Sequence, residues 1–324
     1  MGMEWYIVRR VAWAAIVTFI IVSITWGLMA AAPNPEVQRA ATQAAMDGDD
    51  PEEAAELARQ RNQLDRPLHE RFMDYVVGVY TLNWGWSNTR NQPVTAALMQ
   101  SLYYTVQYSV PWTILTVLIG PLVGLYSAAN QYSWKDHAAT GFAFFGYAIP
   151  NFFFGIILLL IFGVQLRWIP IVYNTDVAML SIENAIQLSV PIFVLVTGSI
   201  GAIMRVSRNE SAEYTNADFV KTAKAKGVST YRIYFRHVLR PTMVPLSTTI
   251  VGYLLALFTG SSLLVEVVFG IPGLGRTLYD AVVAQDTSLV LGSVLFFTFV
   301  ATIGNLIQDL VYTVLDPRIS FEDR

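Results

Sequence analysis

Residues 104–129 read YTVQYSVPWTILTVLIGPLVGLYSAA, twenty-six positions without one Asp, Glu, Lys or Arg. About 20 such residues, at 1.5 Å rise each, make a helix long enough to cross a bilayer. Five further stretches meet that standard, near residues 11–32, 138–164, 185–204, 243–265 and 289–315. Within lipid the backbone must satisfy its own hydrogen bonds, and a barrel would be written as ~10-residue alternating segments instead of unbroken apolar runs. The expected fold is therefore all-α: a polytopic membrane protein with six transmembrane helices.

Composition agrees with that reading. Of 324 residues only 14% are charged and 54% are hydrophobic, and the mean hydropathy is +0.45. Soluble proteins carry ~25% charged residues, so this chain has too little charge to coat a water-facing surface. A net charge of −3 excludes the basic footprint of a nucleic-acid binder. The absence of cysteine removes disulfides, thiolate metal sites and cysteine nucleophiles together. Ala30-Ala31-Ala32 behind an apolar run mimics a signal-cleavage site, but 22 apolar residues exceed the 7 to 15 of a signal core, so the first span is expected to stay.

Lysine and arginine set the orientation. With six spans both termini share a side, and that side holds thirteen basic residues, eight of them between Arg205 and Arg240; the short loops opposite hold only Arg167 and Arg276. The positive-inside rule then puts both termini in the cytoplasm. The first outer loop, residues 33–103, has helix grammar of its own: Asp50-Pro51-Glu52-Glu53 supplies a cap, a first-turn proline and acids ahead of 54–63, and Pro93 opens a segment running into the second span. It is expected to form a small external helical cap. The remaining divisions are 1–32 (cytoplasmic N-terminus and first span), a five-span core at 104–315 and a cytoplasmic tail at 316–324.

The loop at 205–242 is the most informative segment. Thr215-Asn216-Ala217-Asp218 starts a short helix from Phe219 to Lys226, Gly227 ends it, and Ser229 caps a second one through Val238, which Pro241 is expected to stop. Two short helices joined by glycine make a knob, because glycine alone freely adopts the left-handed elbow. Read by itself, a basic amphipathic loop could instead rest on anionic lipid.

Phe219-Val220-Lys221-Thr222-Ala223-Lys224-Ala225-Lys226-Gly227, followed by Arg236-His237-Val238-Leu239-Arg240, resembles the cytoplasmic "EAA" loop of permease subunits in binding-protein-dependent ABC importers. Lys221 stands where that loop usually has glutamate, and Arg240 stands where it has proline, with Pro241 one place later. The oligopeptide and dipeptide branch is similar even in those departures. The resemblance continues through Leu64-Asp65-Arg66-Pro67-Leu68, Pro93-Val94, Ile149-Pro150-Asn151-Phe152 and Trp168-Ile169-Pro170. It runs on through Ile271-Pro272-Gly273-Leu274-Gly275 to Asn305, Asp309, Tyr312 and Asp316-Pro317-Arg318. It implies one half of a heterodimeric permease in a cell membrane. Its partners would be a second homologous permease subunit, two ATPase subunits that bind ATP and Mg, and an external solute-binding protein that sets selectivity for peptides, nickel or sugars. This chain itself would hold no cofactor. The coupling contacts would come from Phe219, Lys221, Thr222, Ala223, Lys226, Gly227, Arg236 and Leu239.

Other chemistries lack their residues. Gly270 to Thr277 fits a phosphate-loop pattern apart from Arg276, but a span precedes it, Pro272 removes a donor and the loop lies outside, so it is read as an external turn built on Ile271, Pro272, Gly273 and Gly275. His69, His137 and His237 show no metal-ligand spacing, and no G-x-S-x-G occurs, so neither a metal nor a catalytic residue is expected. Pro111, Pro121, Pro150 and Pro191 are expected to interrupt four hydrogen-bond ladders where neighbouring helices or a water-filled cavity re-satisfy the backbone, and Gly141, Gly146, Gly155 and Gly163 to let the third span approach its neighbours. Pro150 and Phe153 join Asn305 and Asp309 as candidates for the pathway or bundle interior. Asn305, Asp309, Tyr312 and Asp316 fall on one helix face, with Asp309 the only acid within a predicted span. An ion-coupled secondary carrier is the competing class, though no internal repeat is visible.

Overall fold

The computed structural model describes residues 3–259 and 262–315, most of them helical. Helices α1 (Met3–Ala31), α2 (Pro35–Asp47), α3 (Pro51–Arg61) and α4 (Leu68–Tyr80) lead to a two-residue antiparallel hairpin, Trp86–Ser87 against Gln92–Pro93. Then follow α5 (Val94–Ala129), α6 (Trp134–Ala148), α7 (Asn151–Leu158), α8 (Ile182–Thr215) and α9 (Asp218–Ala225). The chain ends with α10 (Thr230–Arg232), α11 (Leu239–Thr259), α12 (Leu263–Phe269), α13 (Leu274–Val283) and α14 (Thr287–Leu315). Four of these helices are long and apolar enough to cross a membrane, or five when the bent pair α6 and α7 is taken as one span.

Packing divides the chain into two units, Met1–Gln100 with Thr277–Leu306 and Ser101–Arg276 with Ile307–Arg324. In the first unit the sequence-encoded caps form as their residues require. Asn34 accepts the N–H groups of Glu36 and Val37 at 2.9 and 3.3 Å, and Asp50 accepts that of Glu52 at 2.8 Å. Val22 of α1, Val79 of α4 and Leu295 of α14 meet in a buried cluster closed by Trp84, whose ring stacks on Phe299 at 6.0 Å.

Asp286, only 2% exposed, caps α14 and also gathers the hairpin. Its Oδ1 accepts the Leu289 N–H at 3.1 Å. Its Oδ2 accepts Ser87 Oγ at 2.7 Å, Thr89 Oγ1 at 2.8 Å and the Thr89 N–H at 3.0 Å. Burial alone would push this carboxyl up, but the four donors outweigh it and hold it below the ordinary carboxylate value. A depressed folded pKa contributes stability above the unfolded value of ~3.9, and that stability is lost as pH falls through the lower folded value. Asp286→Asn is expected to lower stability at neutral pH by about 1–2 kcal/mol, one charge-assisted cap's worth. The gap to the parent should narrow as detergent-solubilised protein is melted below ~pH 4; a pH-independent gap counts against the charged cap.

Two expectations about the spans need correction. The third is not one helix: α6 and α7 meet at Ile149-Pro150 with a 98° bend, and α7 then widens into a π-helical turn over Leu159–Gln165. The fifth apolar stretch is interrupted: Ser262, at φ −92° and ψ 89°, is non-helical ahead of α12, which starts at Leu263. Pro111, Pro121 and Pro191, by contrast, sit inside unbroken helices. A proline removes one ladder bond, the one an N–H at its position would give to the carbonyl four residues earlier; separately, the Pro121 carbonyl accepts Ser207 Oγ at 2.8 Å, tying α8 to α5 at that point.

α8 is the central element of the second unit. A Cβ on Gly146 would overlap the Thr197 carbonyl and one on Gly201 would press on the Ala143 carbonyl, so α6 and α8 pack backbone to backbone. Gly141 has open space around it and takes no part in that seam. Asn151, the first residue after the Pro150 bend, fits against Gly198 in the same way.

Candidate functional site

The knob expected at 205–242 forms around a buried apolar centre. Val220, Ala223, Ile233 and Val238 pack with Leu125 of α5, and Tyr214, Val228, Tyr234 and Leu239 close the rim. At ~1.5–3 kcal/mol per buried aliphatic side chain, this cluster fixes the knob to the bundle from behind. Its outer surface carries the remaining candidates. Phe219 is 46% exposed, Lys221 pairs with Asp218 at 2.8 Å, Thr222 Oγ1 donates to the Asp218 carbonyl at 2.9 Å, and Lys226 and Arg236 are exposed. Ala223 and Leu239 thus face the packing side, and Phe219, Lys221, Thr222, Lys226, Gly227 and Arg236 face out.

Gly227 is the elbow. Its φ is +72°, its N–H donates to the Lys224 carbonyl at 3.0 Å, the Val228 N–H closes on Ala223 at 3.1 Å, and a Cβ there would meet nothing within 4 Å. The constraint is conformational and not steric crowding. Ser229 occupies the expected cap position, although its side chain makes no cap bond. The second helix does not stop at Pro241. α10 passes through a π-helical turn over Ile233–Val238 directly into α11, so Pro241 withholds one donor just beyond a turn whose ladder is already widened. Tyr231 and Phe235 stack at 4.4 Å and, with Ser229, Arg232, Arg236 and Arg240, border a cleft of about 460 Å³.

Besides Asp286, sequence reasoning missed two more buried carboxylates. Glu266, wholly buried on α12, lies one residue past the predicted end of the fifth span. Its Oε1 accepts Tyr108 Oη at 2.7 Å and Thr105 Oγ1 at 3.0 Å, and its Oε2 accepts the Arg276 N–H at 2.8 Å. Thr105 Oγ1 in turn accepts the Leu274 N–H at 2.9 Å, and the Glu266 carbonyl accepts the Ile271 N–H at 2.9 Å. The Ile271 to Gly275 turn is thus wound around a carboxylate, and a Cβ on Gly273 would overlap Glu266 Oε1. Ile271, Gly273 and Gly275 are buried and Pro272 is half-buried. The phosphate-loop resemblance ends here: the Leu274 and Arg276 N–H groups are already engaged, and an anion fills the cup. The available signal was one acid in the apolar run Leu263–Phe269, a few residues ahead of a Gly-Pro-Gly turn.

The second carboxylate is Asp136, 2% exposed near the start of α6. Arg208 of α8 grips it with two bonds, Nε to Oδ1 at 2.9 Å and Nη2 to Oδ2 at 2.8 Å. Ser127 Oγ and the Tyr132 N–H also donate to it. Of the other pathway candidates, Pro150 makes the bend, Phe153 is 51% exposed, Asn305 is exposed and Asp309 is half-buried with a polar partner. The Tyr312 side chain and Asp316, Pro317, Arg318 and the 316–324 tail lie outside the described residues.

Residues 120–321 match the family described as "Binding-protein-dependent transport system inner membrane component". The chain belongs to that family. It is 30% identical to the oligopeptide transport system permease protein AppB of Bacillus subtilis over 98% of this chain and 100% of the relative. It is 30% identical to the glutathione transport system permease protein GsiC of Salmonella choleraesuis over 82% and 84%. A solved structure, inward-facing conformations of the MetNI methionine ABC transporter, aligns with a TM-score of 0.49 at 17% identity, over 67% of this chain and 97% of that one. A member of this family is a permease component of a membrane transport system and not itself an enzyme, and nothing in the matches supports an ion-coupled carrier.

Proposed function

We propose that this chain forms one half of the translocation path of an ATP-driven importer for peptides or related small solutes, and that the 205–242 knob receives the stroke of an ATPase subunit. The knob geometry carries the reading: an apolar underside locked to α5 leaves a basic, aromatic-tipped surface with a glycine elbow pointing away from the bundle. The peptide assignment draws on the relatives named above. Six crossings would come from α1, α5, α6 with α7, α8, α11 with α12, and α14, with both termini cytoplasmic by the distribution of lysine and arginine. Helices α2 to α4, in the 33–103 segment, would face the solute-binding protein outside. A second homologous permease subunit would complete the path, beside two ATPase subunits holding ATP and Mg. Pro150, Phe153, Asn305 and Asp309 would line the pathway or the bundle interior.

Gly227 provides the test. Valine there meets no neighbour, so its cost is the left-handed backbone alone, ~1–2 kcal/mol and more for a β-branched residue. Gly227→Val is expected to insert and assemble but to lose most solute-stimulated ATP hydrolysis and uptake, whereas Gly227→Asn, which tolerates the left-handed region, keeps them. Full uptake by a normally expressed Gly227→Val complex would remove the knob from the coupling role.

A further inference from the structure

The loop's first basic residue, Arg205, is exposed on α8 at the end of a predicted span. Its guanidinium lies 5.1 Å from the centre of the Phe144 ring and finds neither a hydrogen bond nor an ion pair among the described residues. Its neighbour Arg208 is spent on Asp136. One turn further on, the exposed Asn209 side chain is also without a hydrogen bond among the described residues. These groups open on a groove of about 360 Å³ between α6 and α8, whose other walls include Thr140, Phe144, Tyr147 and Ala202. The groove exists because Gly201 lets the two backbones meet beneath it. Its volume falls within the ~300–1,000 Å³ of ligand sites.

The two ends of the groove differ in chemistry. At the Arg205 and Asn209 end, donors wait for an anion. Phe144 lies under the Arg205 guanidinium, and the opposite end is walled by Tyr147, 68% exposed, with Phe142 and Phe145 of the same helix also exposed. A free anion would use the first end and leave the second bare; a phospholipid uses both. We propose that this groove holds an anionic phospholipid, its phosphate on Arg205 and Asn209 and an acyl chain along Phe144 and Tyr147. The site rests on the cytoplasmic placement of the Arg205 end proposed above, where basic pockets between membrane helices meet the anionic leaflet.

The test reads lipid and not transport, so it fails independently of the importer reading. The whole complex is purified, placed in nanodiscs of phosphatidylcholine doped with phosphatidylglycerol, extracted into detergent, and its retained lipid measured by native mass spectrometry. Arg205→Ala is expected to lower phosphatidylglycerol retention about fivefold, the effect of one arginine near an anionic surface. Asn209→Ala and Phe144→Leu should lower it less, and Arg205→Lys should restore most of it; Asn209→Ala carries the test if Arg205→Ala fails to assemble. Retention equal to the parent in Arg205→Ala and Asn209→Ala overturns the site. So does displacement of the lipid by millimolar inorganic phosphate alone, which marks a simple anion site, or a cross-link from position 202 to the second permease subunit, which marks a protein interface.

Discussion

Replacing Glu266 with leucine is expected to cost the chain its fold around the Ile271 to Gly275 turn. The substitution removes the acceptor of Tyr108 Oη, Thr105 Oγ1 and the Arg276 N–H in one step, in a place without solvent exposure. Each buried donor left unpaired costs ~1–3 kcal/mol, so three of them approach the ~5–15 kcal/mol that holds a whole domain. Glutamine should do far better. Tyr108 Oη and Thr105 Oγ1 already accept the Ser262 and Leu274 N–H groups, and each keeps a second lone pair for an amide NH2, while the amide oxygen turns to the backbone donors of Gly275 and Arg276, which cannot rotate. Glu266→Gln should therefore lose ~1 kcal/mol and stay assembled, and Glu266→Leu should fail to accumulate as a monodisperse species on fluorescence-detected gel filtration. Equal yield and melting for leucine and parent would show that the turn holds without its carboxylate.

The second large effect belongs to Asp136. Alanine there leaves the Arg208 guanidinium partly buried with its two-bond partner gone, along with the acceptor of Ser127 and Tyr132. Breaking such a pair from one side costs ~3–5 kcal/mol, most of it the stranded charge and not the lost attraction. That asymmetry makes a sharp expectation: the double variant Asp136→Ala with Arg208→Ala should melt higher than Asp136→Ala alone, because removing the arginine removes the stranded charge. Thermal melts of the four members of the cycle in detergent decide it. Additive losses would mean that Arg208 is solvated at no cost and the pair carries little.

Local signals were legible in the sequence and tertiary ones were not. Asp50-Pro51 opens α3 and Gly227 closes the knob's first turn because capping and left-handed backbone depend on two or three neighbours along the chain. The four prolines were indistinguishable by themselves. Pro150 bends the chain where Asn151 can seat on Gly198, whereas Pro121 stays inside an unbroken helix whose neighbour packs on it through Ser207, and these partners are written some fifty to ninety residues away. Glu266 was passed over for a similar reason. A lone acid beside an apolar span reads as its end until Thr105 and Tyr108, 161 and 158 residues earlier, are known to face it. The polar face of α14 at Asn305 and Asp309 was read from spacing alone, which fixes a direction around the helix without naming what lies in that direction.

The seam between α6 and α8 has a mechanical consequence. α8 runs 34 residues, roughly 50 Å at helical rise, from a knot of amides to the knob. In the knot, Asn184 Nδ2 donates to Gln107 at 2.8 Å and Gln187 Nε2 donates to Asn184 at 2.9 Å, with Tyr173 Oη within 3.1 Å of Gln107 and 3.0 Å of Asn184. Between the ends, backbone lies against backbone at Gly146 and Gly201, with no flexible side chains to compress. At those two contacts such a helix would act as a push-rod held by close backbone bearings. Displacement applied at Thr215 would then run along the axis, and the missing rung at Pro191 sits a single turn from the knot. On the coupling role proposed above, a shift of about an ångström at the knob would pass along the stiff shaft to its compliant end beside the amides.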